Sequence, residues 1–178
     1  MGIIWHESLD STNAEVRRQL PALDNLSVVA TKMQTAGRGQ GDHRWSSEPG
    51  KNLTFTLLRR FPEGTFPARN LAAINRYVTG VLTTYLKAHG VEAWVKPPND
   101  IWVADRKICG ILIENILDGT FIRESIIGVG LDLNQTQWPP ELPNPVSLKE
   151  LTGQDYSPEK ELETLLALFA ATPLEARG

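Results

Sequence analysis

Short runs of β-branched or alternating apolar residues mark the strands that the sequence predicts. Strands are expected at residues 3–6, 27–34, 52–60, 93–96, 101–104, 107–117 and 121–133. Asp105 and Arg106 are expected to form the turn between the fifth and sixth strands. Asp118-Gly119 is a strong hairpin signal, so the last two strands are predicted to pair in an antiparallel hairpin.

Apolar residues spaced three and four apart predict helices on both sides of this run of strands. A first helix is expected at residues 13–20, because Thr12 and Glu15 have the spacing of a capping box. Further helices are expected at 68–89, ended by Gly90, after Ser147, and at 158–171. Consecutive strands flanked by long helices predict an α+β fold with a mixed β-sheet.

Composition narrows the class of protein. The 178 residues carry 41% hydrophobic and 22% charged side chains, as expected of one globular domain covering residues 1–178. A net charge of −3 argues against nucleic acid as a partner. A single cysteine, Cys109, and three scattered histidines argue against disulfides and a zinc centre, so no protein-built metal site is expected. Without a long apolar run or a signal-peptide pattern, no membrane partner is expected and the predicted location is cytoplasmic.

A glycine-rich stretch with the sequence QTAGRGQGDHRW begins at Gln34 and ends at Trp45. Glycine reaches positive φ at little cost and lets backbone amides approach a ligand. Successive amides can form an anion site, and Arg38 adds a bidentate donor for phosphate or carboxylate. Trp45 offers a face on which a ring can stack. A flexible surface loop, with glycines serving only as turn residues, is the alternative interpretation.

A second informative stretch follows the strand at 93–96. Lys107 begins an otherwise apolar strand, where a charge is costly unless it faces solvent or an anion. Gly110, and Gly128 and Gly130 in the neighbouring strand, suggest that something passes close to the backbone. Taken one at a time, these residues are equally consistent with a surface lysine and packing glycines.

Together, four motifs are similar in order and spacing to the catalytic domain of biotin protein ligases. They are DSTN from Asp10, QTAGRGQGDHRW from Gln34, PNDIWVADRKICGILIE from Pro98 and GVGLDLN from Gly128. The resemblance covers roughly residues 1–155, with 156–178 expected to form a C-terminal helix and tail, which fits either a truncated end or a minimal form. It implies the class II aminoacyl-tRNA synthetase/biotin synthetase-like fold. The winged helix and SH3-like domain of larger relatives are not expected.

The resemblance implies a two-step ligase that uses ATP, Mg²⁺ and biotin. Biotin is activated as biotinyl-5'-AMP and is then transferred to a lysine of a biotin carboxyl carrier protein, a subunit of acetyl-CoA carboxylase or a related carboxylase. Arg38 and Lys107 are expected to supply positive charge, and Asp100 to accept a proton from the incoming amine. The resemblance leaves a monomer or a weak homodimer as the expected oligomeric state.

The resemblance also assigns residues to each substrate. Biotin is expected to contact polar residues near the first helix, the glycine loop and the glycines of the hairpin: Ser11, Thr12, Asn13, Gln34, Gly37, Arg38, Gly39, Gln40, Lys107, Gly110, Gly128 and Gly130. The nucleotide is expected to contact Arg38, Gly39, Gln40, Gly41, Trp45, Asn99, Lys107 and Asp132. Trp45 is expected to pack on adenine. Glu48 and His43 are interpreted as ordinary loop residues, and Cys109 as a buried small hydrophobic residue.

Three residues depart from the family pattern. Gln40 stands where many relatives have arginine, which predicts weaker retention of biotinyl-AMP. Pro97 replaces a tryptophan. Asp132 stands where asparagine is common, and a carboxylate cannot donate a hydrogen bond to a ring nitrogen, which puts ATP affinity in question.

Two other functions fit the same residues. A lipoate–protein ligase of the same fold would have an elongated apolar tunnel with fewer partners for a ureido ring. A non-catalytic biotin- or nucleotide-binding relative is the second alternative, because the three departures all concern positions expected to contact or approach the adenylate.

Overall fold

The computed structural model describes residues 2–176. A seven-stranded mixed sheet has the strand order β1-β2-β3-β7-β6-β5-β4. The strands are β1 Ile3–His6, β2 Val28–Thr31, β3 Leu53–Arg60, β4 Trp94–Lys96, β5 Asp100–Val103, β6 Arg106–Asp118 and β7 Phe121–Leu131. The helices are α1 Thr12–Arg18, α2 Leu71–Ala88, α3 Leu148–Thr152 and α4 Pro158–Ala171. The predicted mixed sheet flanked by helices is confirmed.

Only β1 and β2 pair in parallel, and the other neighbouring strands are antiparallel. β6 and β7 form the expected long hairpin, whose turn contains Gly119 at a φ of 59°. The turn before β6 is displaced by one residue from the prediction, because Arg106 already pairs with Val103 and Ala104 takes a positive φ of 52°. A long central hairpin therefore supports the middle of the sheet.

The two faces of the sheet carry different layers. On β3, Leu53, Phe55 and Leu57 belong to the main core, which is completed by α2 and α4. The next residue, Leu58, packs with Val16 of α1 on the opposite face. Period-two alternation explains this division, since successive side chains of a strand point to opposite faces. The face that carries α1 also contains the candidate site.

The start of α1 corrects one prediction. Ser11, not Thr12, is the N-cap, and its side chain accepts a hydrogen bond from the amide of Ala14. Glu15 does not close a capping box with Thr12; its carboxylate instead receives hydrogen bonds from Arg18 and Gln19. The shift of one residue leaves the hydroxyl of Thr12 for other contacts. The cap predicted at Ser147 is confirmed, with a complete capping box to Glu150.

Two predicted strands are shorter than expected. β2 ends at Thr31, whose hydroxyl donates to the carbonyl oxygen of Met33 and so supports a turn. Gln34 therefore lies outside the strand, in an isolated bridge with Leu9. β7 ends at Leu131, which places Asp132 just beyond the strand end. Both terminations leave a polar residue of the candidate site on irregular backbone.

Candidate functional site

A cavity of about 560 Å³ opens on the α1 face of the sheet. Its floor includes one row of paired residues that crosses four strands: Asp100 of β5 faces Gly110, Gly110 faces Gly130, and Gly130 faces Thr54 of β3. All four residues line the cavity. Two adjacent glycines in this row lower the floor at its centre, because neither has a side chain to fill the space.

The glycines of the floor are covered by side chains of the protein itself. A Cβ atom on Gly130 would lie 2.2 Å from the indole of Trp45, and one on Gly110 would lie 3.1 Å from the same ring. A Cβ atom on Gly128 would lie 2.4 Å from Asn13 Oδ1. The close approach predicted from sequence is therefore present, but Trp45 and Asn13 are the groups that make it. Trp45 lies on the floor that was expected to receive the biotin chain.

One end of the cavity contains a connected group of polar side chains from α1 and β3. The amide and hydroxyl of Thr12 both donate to Gln34 Oε1, at 2.8 and 3.3 Å. The Thr56 hydroxyl lies 2.6 Å from Asn13 Oδ1 and 2.8 Å from Thr12 Oγ1, and its single proton can serve one of them at a time. Ser11, Thr12, Asn13 and Gln34 all line the cavity, as expected of a neutral polar subsite.

The glycine loop folds back on itself as a small hairpin. The amide of Gly39 donates to the carbonyl oxygen of His43 at 2.7 Å, and the amide of Trp45 donates to Gly37 at 3.1 Å. Because the Gly39 amide is already bonded within the loop, it is not directed at a ligand in this conformation. Arg38, Gly39 and Gln40 line the cavity, whereas Gly37 and Gly41 do not.

Four cationic side chains line the cavity: Arg38, Arg44, Lys96 and Lys107. Lys107 forms an ion pair with Asp100 at 3.1 Å, and its Nζ lies 5.7 Å from the centre of the Trp45 ring. The structure thus brings together Arg38, Lys107 and Asp100, which the sequence assigned to catalysis. Arg44 and Lys96 were not predicted, and neither was His43, which lines the cavity although it was interpreted as an ordinary loop residue.

Glu114 joins the glycine loop to the sheet, a role that the sequence analysis missed. Its carboxylate accepts from Arg38 at 3.0 Å and from Asn13 at 2.9 Å, and it lies 3.4 Å from Arg17. Burial alone would raise the pKa of Glu114, but the Asn13 hydrogen bond and the two arginine charges outweigh it and hold that pKa below its usual range. A charged residue within an apolar strand was the available signal, because such a charge needs a partner.

The opposite end of the cavity is built from Asp132 and an irregular segment at residues 138–145. Trp138, Leu142, Pro143 and Pro145 contribute to this wall. The segment is held beside β6 because the Lys107 amide donates to Asn144 at 2.8 Å and the Val146 amide donates to Lys107. Asn99 also lines the cavity, and its side-chain oxygen accepts from Asn75. The wall is mainly apolar, unlike the polar end.

Residues 2–176 contain neither a cluster of metal-ligating side chains nor a membrane-spanning helix. No group of three or more His, Cys, Asp or Glu residues is arranged to hold a metal ion. None of the helices in this part of the chain has the length and apolar character needed to cross a membrane. Cys109 is fully buried, as expected of a small hydrophobic residue.

Comparison with protein families decides the relationship. The model of the biotin/lipoate A/B protein ligase family matches residues 5–132. The chain belongs to this family. The family match covers the α1 cap, the glycine loop and the β6–β7 hairpin, which build most of the cavity; the wall at residues 138–145 lies outside it.

Relatives and solved structures agree with this assignment. The bifunctional ligase/repressor BirA of Bacillus subtilis is 32% identical over 174 residues, which are 94% of this chain and 52% of that protein. The biotin–[acetyl-CoA-carboxylase] ligase of Paracoccus denitrificans is 29% identical over 90% of this chain and 68% of its own length. A biotin protein ligase from Aquifex aeolicus, solved with biotin and ATP, superposes with a TM-score of 0.73 at 25% identity, covering 95% of this chain and 68% of that one. The chain spans about half the length of the B. subtilis relative.

Proposed function

We propose that the protein is an ATP-dependent biotin–protein ligase, which activates biotin as biotinyl-5'-AMP and transfers it to a lysine of a biotin carboxyl carrier protein. The observation that supports this most directly is that Arg38 and Lys107 line one cavity, between a neutral polar end and a mainly apolar end. The names of the relatives, and the biotin and ATP bound to the A. aeolicus protein, agree with the same assignment.

The first step joins two anions. A carboxylate oxygen of biotin attacks the α-phosphorus of ATP, the bond from that phosphorus to the bridging oxygen breaks, and pyrophosphate leaves. Fixed positive charge lowers the cost of bringing the anions together and stabilises the charge of the transition state. Arg38 of the glycine loop and Lys107 of β6 both line the cavity, and they are the candidate sources of this charge.

The second step transfers the acyl group. The amine of the carrier lysine attacks the acyl carbon of biotinyl-AMP, AMP leaves, and an amide forms while the amine loses a proton. Asp100 is the candidate acceptor for that proton, because it is a partly exposed carboxylate beside Lys107 in the cavity. The ion pair with Lys107 also fixes the orientation of both side chains.

The polar end suits the ureido ring of biotin. Gln34 Oε1 accepts from Thr12, so the Gln34 amide nitrogen is left as a donor for the ureido oxygen. The Ser11 oxygen accepts only a long 3.4 Å contact from the Ala14 amide, and its own proton can serve a ligand. A buried ureido group requires such neutral partners, since each unmatched group costs binding free energy.

ATP would enter as its magnesium complex. No cluster of three acidic or histidine side chains exists in residues 2–176 to hold the ion, so its ligands would be phosphate oxygens and water, as is usual for Mg²⁺ with nucleotides. The ion supplies charge neutralisation at the phosphates. The residues of this chain then orient the two substrates and exclude water, and Arg38 and Lys107 add fixed positive charge.

The proposal is tested by incorporation of labelled biotin into a purified carrier domain, with and without ATP. ATP-dependent labelling is expected, and a carrier in which the target lysine is replaced by arginine should remain unlabelled. Biotin-dependent exchange between ATP and pyrophosphate reports the first step alone. A chain that binds biotin but supports neither reaction would contradict the proposal and favour a non-catalytic binder.

Lipoate is the competing substrate, since the family includes lipoate ligases. The hydrogen-bonded group formed by Thr12, Gln34 and Thr56 favours biotin, because the dithiolane ring of lipoate has no group to pair with it. Lipoate should therefore fail to replace biotin in the exchange reaction.

A further inference from the structure

Asp132 is the most unusual polar group of the cavity. The residue is 4% exposed, yet it lines the cavity, and its Oδ1 atom is buried without a hydrogen-bond partner. Its backbone is fixed on two sides, because its amide donates to Ile108 and its carbonyl oxygen accepts from Leu148, both at 3.0 Å. The carboxyl group is therefore held at the cavity wall with unused hydrogen-bonding capacity.

The groups that face Asp132 come from β6 and α3. Burial raises the pKa of Asp132 well above its usual range; the charge of Lys107 opposes this, and the charge of Glu150 adds to it. Lys107 also forms an ion pair with Asp100 at 3.1 Å, and Glu150 forms one with Arg106 at 3.6 Å. The neighbouring thiol of Cys109 is also neutral, because burial raises its pKa strongly. Burial and the lack of a hydrogen-bond partner for Oδ1 both favour the protonated form of this carboxyl group.

We propose that Asp132 binds the nucleobase of ATP as a neutral carboxylic acid, with its O–H donating to a ring nitrogen of adenine and its C=O accepting from the exocyclic amino group. A carboxylate has two acceptors and would oppose the ring nitrogen, whereas the neutral acid offers one donor and one acceptor, as asparagine does. This inference rests on the proposed function, and it changes the expectation that an aspartate at this position weakens ATP binding.

The surroundings of Asp132 fit a flat heterocycle. The segment at 138–145, which forms a bridge with Lys107, contributes Leu142, Pro143 and Pro145 to the cavity wall. These apolar side chains provide contact surface for a base, and the low exposure of Asp132 keeps water from its carboxyl group. Water exclusion strengthens the hydrogen bonds of the acid and disfavours its ionisation.

The direct test measures the protonation of Asp132. Protein with ¹³C-labelled aspartate carboxyl groups is compared by NMR with the Asp132→Asn variant, so that the difference spectrum contains the Asp132 resonance. The chemical shift of a carboxylic acid at pH 7, in the presence of saturating ATP, is expected. A carboxylate shift under the same conditions would overturn the proposal.

The affinity for ATP provides a second test of the proposal. Asp132→Asn should bind ATP within about threefold of the wild type, because the amide offers the same donor and acceptor, whereas Asp132→Ala should bind roughly tenfold more weakly. Wild-type affinity in the alanine variant would also overturn the proposal. Biotin affinity should be unchanged in both variants, which confirms that they are folded. A wild-type protein that binds neither biotin nor ATP would instead contradict the proposed function.

Discussion

The two ends of the cavity differ in how their polar groups are satisfied. At the α1 end, Thr12, Asn13, Gln34 and Thr56 are hydrogen-bonded to one another or to backbone. At the other end and over the floor, Asp132 Oδ1 and the indole nitrogen of Trp45 are buried without partners. Unpaired buried groups cost free energy, so the second region is the less stable of the two.

This difference indicates two modes of binding. The paired end is already organised and needs little rearrangement to accept a ligand. The unpaired region gains most from a ligand, because new hydrogen bonds there remove an existing cost, and because Trp45 occupies a floor that a ligand chain would share. We therefore expect substitutions of the cationic residues that line the cavity, and of residues in the unpaired region, to affect chemistry and ligand retention. Substitutions around α1 should instead affect the free energy of unfolding.

The largest effect is expected from Lys107→Ala. Loss of one preorganised charge donor should slow adenylate formation by about 100-fold or more. The measurement is biotin-dependent exchange between ATP and pyrophosphate. Lys149→Ala is the matched control, since Lys149 also pairs with an aspartate, Asp155, but does not line the cavity. Near-normal exchange by the Lys107 variant would exclude it from the reaction.

A substitution at Gly128 tests the organised end. Gly128→Ala would place its Cβ atom 2.4 Å from the buried Asn13 Oδ1, and should lower the free energy of unfolding by about 1–3 kcal/mol. Gly80→Ala is the control, because no atom lies within 4 Å of its added Cβ in the middle of α2, and it should be stabilising by about 0.5–1 kcal/mol. Urea unfolding of both variants measures the contrast. An equal change in the free energy of unfolding of the two variants would show that packing does not require glycine at position 128.

Gln40→Arg tests ligand retention by the glycine loop. An added guanidinium beside the cavity should slow release of biotinyl-AMP by roughly tenfold, because a charge-assisted bond to phosphate is stronger than one from an amide. Gln154→Arg adds the same charge at an exposed position outside the cavity. Release is followed by chasing labelled adenylate with unlabelled biotin and ATP. An unchanged rate in the Gln40 variant would refute the interpretation of this residue.

Glu114→Gln should have the smallest effect on global stability. Arg38 and Arg17 are about half exposed, so their ion pairs with Glu114 should contribute less than about 1 kcal/mol. Residues 35–50 should nevertheless exchange amide hydrogens faster, since the loop loses its anchor to β6. Glu63→Gln, at an exposed position in a connecting loop, is the control.

The same contact predicts a pH dependence. Because the folded-state pKa of Glu114 is lowered from 4.5, its stabilising contribution is present above that value and is lost as pH falls through the lower folded-state pKa. The wild type and Glu114→Gln should therefore converge in stability and loop exchange in acid. A difference that persists at low pH would mean that the carboxylate charge is not what anchors the loop.

Sequence predicted the secondary structure well because the strands and helices carry clear periodic patterns. The family motifs also identified most residues that line the cavity. The sequence did not predict that residues 138–145 form a wall of the cavity, because the prolines of this segment give no periodic signal. Its position depends on backbone hydrogen bonds with Lys107. The position of Trp45 over Gly110 and Gly130 was not predictable either, since it depends on how the loop folds back over a distant hairpin.

The strand order brings residues that are synthesised at different times together in the cavity floor. Asn13 near the beginning contacts Gly128 and the carbonyl of Leu112, so the floor joins parts of the polypeptide separated by about a hundred positions. Contacts so far apart form late, after the intervening loops have closed. During synthesis, a nascent chain that has not yet released β7 from the ribosome would lack part of the cavity floor. Ligand capture can then begin only when nearly the whole domain has emerged.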